Sequence, residues 1–341
     1  MAGALIVNGN ALSIPLADGV VQTCVTSPPY YGLRDYGAHG QLGLEQSPEE
    51  YVANLVAVFR EVWRKLRDDG TLWVVLGDSY WGGKGKSGYE LPEEADARHA
   101  SGSTLQRGNY APGHRANRPT DGKHDVIKPK DLVGIPWMVA FALRADGWYL
   151  RRDIIWAKDN VKPESVKDRP TTAHEYLFLL TKRPHYYYDR VAIFEPLEAD
   201  TLARSLRAVS GEHKARPNRR KEWDQSQGGG GTGFNGHSGN LDSNGKLLID
   251  LRGRNKRSVW SIPTQPVKLA HFATYPEKLV EPCILAGSKP GDLVLDPFSG
   301  SGTTGKVALT HGRNFVGVEL SLDYIQQISA RRLMVQIGVG L

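Results

Sequence analysis

The chain has 341 residues and a net charge of +6, and this length can bury one large core or two modest ones. No apolar run approaches the ~20 residues of a membrane helix, and Met1 to Val7 lacks the basic and apolar regions of a secretion signal. Only two cysteines occur, Cys24 and Cys283, and no Cys/His cluster has zinc spacing, so we expect a reduced, cytoplasmic protein without membrane, disulfide or metal.

The first part of the chain predicts two buried strands joined by a helix. Val20 to Val25 is a short apolar run of the kind that forms a buried strand. Ser47 then opens a helix as its N-cap, Glu50 completes a capping box, and Gly70 ends the helix. Thr71 to Leu76 predicts the second strand.

A long polar segment precedes the next elements. Gly82 to Lys130 is rich in Gly and Pro and almost without aliphatic side chains, which indicates a surface loop. Asp131 is expected to cap a helix that runs to about Ala145. Trp148 to Trp156 and Glu175 to Thr181 then predict two further strands of the same sheet.

The last part of the chain continues the alternation of helices and strands. Its predicted elements are a helix near Lys278 to Ala286, a strand at Leu293 to Leu295, a helix from Thr303, a strand at Phe315 to Val318 and a final amphipathic helix from Leu322 to Val335. Strands that alternate with helices indicate an α/β fold with a doubly wound sheet.

Positive charge is concentrated in one segment. Arg204 to Arg257 contains 12 Lys and Arg against 5 Asp and Glu, so the rest of the chain has no positive excess. The segment also has four consecutive glycines and little periodicity, which indicates an insertion in the fold. Contact with a polyanion and a solvated, partly disordered insertion both agree with this charge.

A glycine-rich loop near the end of the chain predicts a ligand site. Gly300-Ser301-Gly302-Thr303-Thr304-Gly305 spells G-x-G-x-x-G between a strand and a helix, where glycines allow a ligand to approach the backbone. A phosphate loop is excluded because Val307 stands where that motif needs a hydroxyl for Mg²⁺. A dinucleotide and S-adenosylmethionine stay open, and Glu319 at the end of the next strand suits the ribose of either. Asp296 favours the second, whose ammonium and sulfonium are cations.

A second loop, Thr26-Ser27-Pro28-Pro29-Tyr30, suits attack by an exocyclic amino group of a base. That nitrogen is a poor nucleophile because its lone pair is delocalised into the ring. Ser27 Oγ and the Pro28 carbonyl can accept its two hydrogens and favour the pyramidal geometry that attack requires. Two consecutive prolines make the loop rigid, and Tyr30 offers a ring on which a flipped base can stack.

Together the two loops resemble those of beta-class DNA amino-methyltransferases. Ser27-Pro28-Pro29-Tyr30 resembles the catalytic motif, and Asp296-Pro297-Phe298-Ser299-Gly300-Ser301-Gly302 resembles the methionine-binding loop. Glu319, followed by Leu320, resembles the ribose-binding acid. The match spans nearly all of the chain outside 82–130 and 200–257.

The resemblance also implies further contacts with S-adenosyl-L-methionine. His271 to Lys278 resembles a segment that folds over the cofactor, with Thr274 and Lys278 as the candidate contacts. Asn10 lies where the family approaches the adenine. Thr303 continues the loop that holds the amino-acid part.

The fold that the resemblance implies is a Rossmann-like mixed, mostly parallel sheet with helices on both faces and a circularly permuted motif order. Residues 1–189 would form the catalytic half, with its long loop at 82–130. Residues 190–260 would form a target-recognition insertion, and residues 261–341 the cofactor-binding half.

The function that the resemblance implies is site-specific methylation of double-stranded DNA after base flipping. A Ser before Pro-Pro favours N4 of cytosine, with N6 of adenine as the alternative. A cognate restriction endonuclease is a further candidate partner, and the protein would be a monomer or a homodimer.

Three rival functions compete with this one. Pro282-Cys283 could be the nucleophile of cytosine-C5 methylation, but the segment predicts a helix and a buried structural thiol. A catalytically silent DNA-binding module and an RNA or protein methyltransferase also stay open. The basic segment favours nucleic acid over protein.

Overall fold

The computed structural model describes residues 2–33, 36, 38–82, 119–121, 123–161, 163–209, 250–264, 275–326, 333 and 337–339. The chain divides into two compact units, Met1–Asp189 with Arg257–Leu341, and Arg190–Lys256. The first unit holds the sheet that is described below. The assignment of residues 190–260 to target recognition stays a prediction.

One sheet of nine strands organises the described part of the first unit. The strands are β1 Ala4–Asn8, β2 Val21–Thr26, β3 Leu66–Leu76, β4 Tyr149–Ala157, β5 His174–Thr181, β6 Val259–Ser261, β7 Leu293–Asp296, β8 Asn314–Glu319 and β9 Ile337–Val339. Their order across the sheet is β6-β4-β5-β3-β2-β7-β8-β1-β9. Only β5 runs antiparallel to its described neighbours, β3 and β4. One edge of the sheet therefore gathers the carboxyl ends of the parallel strands and the amino end of β5.

Helices cover both faces of the sheet. In the first unit they are α1 Pro48–Lys65, α2 Ile135–Ala145, α4 Glu277–Gly287, α5 Thr303–Thr310 and α6 Leu322–Tyr324, and the second unit contains α3 Ala199–Val209. Leu72 and Val74 of β3 share a buried cluster with α1 and α2, whereas Trp73 lies against Gly287 of α4. Since alternate side chains of a strand point to opposite faces, α1 and α4 lie on opposite sides. The predicted fold class is confirmed.

The first helix begins as predicted. Ser47 Oγ accepts a hydrogen bond from the Glu50 amide at 3.1 Å, and Pro48 occupies the first turn. The Glu50 carboxylate accepts from the Gln46 amide at 3.1 Å, one residue before the predicted partner. The helix buries Tyr51, Leu55, Phe59 and Val62, which follow helical spacing.

The predicted end of this helix is wrong. The helix ends at Lys65, and β3 already begins at Leu66. Leu66 is fully buried and pairs with Val21 of β2. This pairing extends the backbone before Gly70 is reached, so tertiary contact overrides the local stop signal.

The predicted cap of α2 is also wrong. Asp131 accepts from the Lys128 amide at 2.9 Å instead. The helix starts after Gly134, whose φ of 85° gives the left-handed backbone that glycine adopts readily. The amides of Gly134 and Ile135 donate to the Asp78 carboxylate at 3.0 and 3.1 Å. An acid that follows β3 thus caps α2 from a distance.

Some predicted features lie partly or wholly outside the described residues. These are most of the loop at 82–130, the basic stretch at 210–249 and the later part of the last helix. Conversely, the sequence did not predict β1, β6 and β9 as strands. None of the described helices combines the length and the apolar character that crossing a bilayer requires.

Candidate active site

The two predicted loops lie side by side. They follow β2 and β7, which are neighbours in the sheet with Cys24 opposite Leu295. Thr26 Oγ1 donates to Asp296 Oδ1 at 2.6 Å, so a hydrogen bond joins the loops across 270 residues of sequence. Two loops that are far apart in the sequence therefore meet at one edge of the sheet.

Asp296 is the hub of this junction. Besides Thr26, its carboxylate accepts from the Phe298 amide at 3.1 Å, from Tyr275 Oη at 2.9 Å and from Thr304 Oγ1 at 2.7 Å. Asp296 is fully buried, and burial raises the pKa of its carboxyl group. The Tyr275 and Thr304 hydroxyls also hydrogen-bond each other, so they share their two protons among these contacts. Because Asp296 is enclosed by its own donors, we expect it to act on a bound cation mainly through its charge.

The glycine-rich loop has the backbone of a ligand cradle. Gly300 and Gly302 have φ values of 49° and 73°, in the left-handed region that favours glycine. Among the described atoms, a Cβ at Gly300 would meet only the Phe298 carbonyl, at 3.7 Å. Ser301 and Thr303 are buried, and their hydroxyls lie 3.1 Å apart. Pro297 is buried where the loop leaves β7.

Glu319 lies at the end of β8, next to this loop. Its carboxylate accepts from the amides of Gly300 and Ser321 at 2.9 and 3.0 Å, and Leu320 beside it is half-buried. Burial raises the pKa of the Glu319 carboxyl group. A carboxylate has about four acceptor sites, so capacity remains for a ribose hydroxyl. The glycine-rich backbone of the loop and this carboxylate fit a nucleoside with a cationic amino-acid part.

The remaining predicted cofactor residues have no described contact with the glycine-rich loop. Asn10 is exposed just beyond β1, whose end pairs with Glu319 of β8. Its side chain accepts from the Leu12 amide at 2.9 Å. Lys278 is exposed in the first turn of α4, and Thr274 lies outside the described residues.

The substrate loop is held in place by distant side chains. Pro28 is buried, whereas Ser27, Pro29 and Tyr30 are half-buried. The Tyr51 hydroxyl of α1 donates to the Pro29 carbonyl at 2.7 Å and so fixes the middle of the loop. This bond does not use the neighbouring Pro28 carbonyl, the predicted acceptor.

Tyr30 is enclosed by groups that the sequence did not predict. Its ring packs on Gly77, where a Cβ would overlap the ring. Its hydroxyl donates to Glu175 Oε2 at 2.6 Å, and Glu175 also pairs with Lys158. Burial and the Glu175 charge raise the pKa of Tyr30 well above its usual value. No local pattern marks Glu175 as functional, because it is simply the second residue of the antiparallel strand β5.

Both cysteines are structural. Cys283 is buried within α4, and its Sγ donates to the Leu279 carbonyl at 3.3 Å. Cys24 is buried within β2, where burial raises the pKa of its thiol. A thiolate nucleophile for C5 methylation is therefore not available at either position.

The fold and these two loops define the class of Rossmann-like methyltransferases. Residues 21–330 match the family model described as DNA methylase, of the N6 and N4 amino-group type. The chain belongs to this N6/N4 DNA methylase family. The predicted family is thus confirmed, and with it S-adenosylmethionine as cofactor.

Individual proteins resemble the chain over most of its length. It is 43% identical over 333 residues to the Type II methyltransferase M.Cfr9I of Citrobacter freundii, covering 97% of this chain and 88% of that protein. The solved structure of PvuII DNA methyltransferase, titled cytosine-N4-specific, matches with a TM-score of 0.58 at 17% identity and covers 97% of this chain and 86% of that one. A protein of Thermus thermophilus, crystallised with S-adenosyl-L-methionine, matches with a TM-score of 0.53 at 21% identity over 99% and 97% of the two chains. The two structures support the fold.

Proposed function

We propose that the protein methylates N4 of cytosine in duplex DNA, with S-adenosylmethionine as donor and the target base flipped out of the helix. One observation carries the proposal. The hydrogen bond between Thr26 and Asp296 holds together the loop in which Ser27 would accept from the amino group and the loop that would hold the cofactor, and this supports the proposal.

On the cofactor side, we assign each group by its chemistry. Glu319 would accept the ribose hydroxyls, and Gly300 to Thr303 would hold the amino-acid part against the backbone. Asp296 would supply negative charge from below the loop. Thr274 and Lys278 would lie in the covering segment, and Asn10 near the adenine. The bound cofactor supplies a methyl group that its sulfonium makes electrophilic.

On the substrate side, the chain positions the amino group for attack. Ser27 Oγ and the Pro28 carbonyl would accept its two hydrogens, which turns the nitrogen lone pair toward the methyl carbon. Pro29, held by Tyr51, keeps these acceptors rigid, and the Tyr30 ring would stack on the flipped base. Positioning alone can supply a large part of such a rate enhancement, because the reacting atoms are held at attack distance.

Cytosine is proposed as the target because Ser27 precedes Pro-Pro, as the family resemblance implies. The test is to sequence DNA from cells that express the protein, by a method that separates N4-methylcytosine from N6-methyladenine. Cells that express Ser27→Ala serve as the control and should carry far less of the mark. A site-specific N6-methyladenine mark would overturn the choice of base and leave the family intact.

Recognition of DNA is proposed for residues 190–260, because Arg204 to Arg257 carries the positive excess of the chain. Replacing Arg219, Arg220 and Lys221 with Ala should weaken DNA binding. The plot of log binding constant against log salt concentration should become less steep, with its slope reduced by up to about three. Cofactor affinity should stay unchanged. An unaltered salt slope would assign recognition to another region.

A cognate restriction endonuclease is proposed as the functional partner, because M.Cfr9I bears a Type II methyltransferase name. Methylation by this protein should then protect DNA from one endonuclease of the same sequence specificity. A digest of plasmid DNA from expressing cells tests this directly. Full cleavage at every methylated site would contradict it.

A further inference from the structure

A line of polar side chains continues from Ser27 away from the cofactor loop. Ser27 Oγ lies 3.5 Å from Tyr30 Oη, which is long for a hydrogen bond. Tyr30 Oη donates to Glu175 Oε2 at 2.6 Å, and the other Glu175 oxygen pairs with Lys158. The line therefore runs from a hydroxyl at the reacting centre to an ion pair.

The chemistry of this line fixes the direction of its hydrogen bonds. An ionised carboxylate only accepts, so the Tyr30 hydroxyl must donate to Glu175. The Tyr30 oxygen can then act toward Ser27 only as an acceptor. A weak donation from Ser27 Oγ to Tyr30 Oη, at 3.5 Å, leaves the lone pairs of Ser27 Oγ for another donor. An amino group that is to be methylated is such a donor.

The pairing of β4 and β5 places the two members of the ion pair next to each other. Glu175 lies opposite Trp156 where β4 and β5 pair, and the Lys158 amide donates to the Ala173 carbonyl at 2.8 Å. Lys158 and Glu175 are thus diagonal neighbours on one face, the geometry in which cross-strand pairs interact. Their side chains are only 18% and 17% exposed, and the Lys158 ammonium lies 4.6 Å from the centre of the Trp156 ring.

We propose that Glu175, held by Lys158, is a positioning residue that sets the hydrogen-bond direction of Tyr30 and thereby keeps Ser27 Oγ an acceptor for the target amino group. This role rests on the function proposed above. Tyr30 is well suited to it, because its raised pKa keeps the phenol protonated as a donor at neutral pH.

A double-mutant cycle between Tyr30 and Glu175 tests the proposal. Glu175→Gln keeps the shape but can donate as well as accept, so it no longer fixes the direction. We expect it to lower the single-turnover rate of methyl transfer about tenfold, the size of one charge-assisted hydrogen bond. Cofactor affinity by calorimetry should change less than about twofold, within ordinary scatter for a distant site.

The second arm of the cycle is Tyr30→Phe, which keeps the ring and removes the hydroxyl. It should lower the rate by a similar factor. In this background Glu175→Gln should cost less than about twofold more, because its route to Ser27 is already cut. Effects that multiply in the double variant would show that Glu175 acts independently of Tyr30 and would overturn the proposal, as would a wild-type rate in Glu175→Gln alone.

Glu61→Gln is the matched control. Glu61 is also a largely buried, lysine-paired carboxylate, with 11% exposure against 6% for Lys65, but it lies near the end of α1, which leads into the amino end of β3. Its rate should equal that of the wild type. The Tm of the same four proteins tests the coupling without relying on activity. Additive Tm shifts of the two single variants would also overturn the coupling between Tyr30 and Glu175. Absence of any DNA mark in the wild type would instead refute the proposed function.

Discussion

The two loops of the site are stabilised in different ways. The cofactor loop depends mainly on its own residues and on the next strand, through left-handed glycines and bonds such as that of the Ser299 amide to the Val318 carbonyl at 2.9 Å. The substrate loop depends on Tyr51 of α1, Gly77 just after β3 and Glu175 of β5, which are far apart in the sequence. A ligand cradle can thus be encoded within about ten residues, whereas a rigid substrate loop needs the whole sheet.

Asp296 links the two loops. Asp296 belongs to the cofactor loop, yet Thr26 from the substrate side is one of its donors. We therefore expect changes in the substrate loop to act on turnover, and changes in the cofactor loop, including those at Asp296, to act mainly on cofactor affinity.

The largest expected effect is that of Ser27→Ala. Losing one acceptor for the amino group misaligns the nucleophile, so turnover should fall by roughly 10²-fold. The dissociation constant for S-adenosylmethionine should stay within about twofold, because Ser27 does not line the glycine loop. Steady-state kinetics and calorimetry on the same preparations measure both. Ser165→Ala, an exposed serine, is the control, and an equal loss of affinity would contradict the separation of the loops.

Two glycine substitutions sharpen the comparison. Gly77→Ala would press on the Tyr30 ring and Gly317→Ala on Ser299, each at a cost of about 1–3 kcal/mol for overpacking. We expect the first to reduce turnover and the second to reduce cofactor affinity, each by about tenfold or more. Gly3→Ala is the control, since an added Cβ meets no described atom within 4 Å. The same kinetic profile for both variants would show that the loops are not independent.

Asp296→Asn tests the hub without removing its volume. It removes a negative charge near the proposed cationic part of the cofactor, so affinity should fall about tenfold, or ~1.4 kcal/mol. Turnover at saturating cofactor should change less. Calorimetric titration measures the affinity, with Asp292→Asn, a carboxylate before β7, as the control. Unchanged affinity would limit Asp296 to a purely structural role.

The smallest expected effect is on pH dependence. Burial raises the pKa of Asp296 above 3.8 and that of Glu319 above 4.5, so both groups gain protons in the folded protein at a higher pH than in the unfolded chain. Cofactor affinity should therefore begin to fall, by a few-fold, as pH decreases toward these raised values. The free energy of unfolding depends on pH in the opposite direction. The contribution of these two groups to it decreases as pH rises through the same window.

Combining Asp296→Asn with Glu319→Gln should flatten this affinity profile. Calorimetry between about pH 5 and 8, a range in which proteins are usually most stable, measures it. A profile that keeps its shape in the double variant would assign the dependence to other groups.

The amino-acid sequence by itself determined the alternation of strands and helices, the nature of both loops and the family. These features are local: apolar spacing fixes an element, and glycine or proline fixes a turn, within a few residues. Predictions from local signals were wrong where a residue distant in sequence made the decisive contact. Leu66 pairs with β2, which ends α1 before Gly70, and Asp78 caps α2 in place of Asp131.

Only the tertiary structure decided what supports the substrate loop. The bond from Tyr30 to Glu175 spans 145 residues, and it forms because β5 is reversed between β3 and β4 and so brings its first residues to the carboxyl edge. Tyr275 and Thr304 around Asp296 were likewise not predicted as partners of that carboxylate. Strand order and direction arise from the packing of whole faces of the sheet, and the spacing of residues along one segment does not encode them.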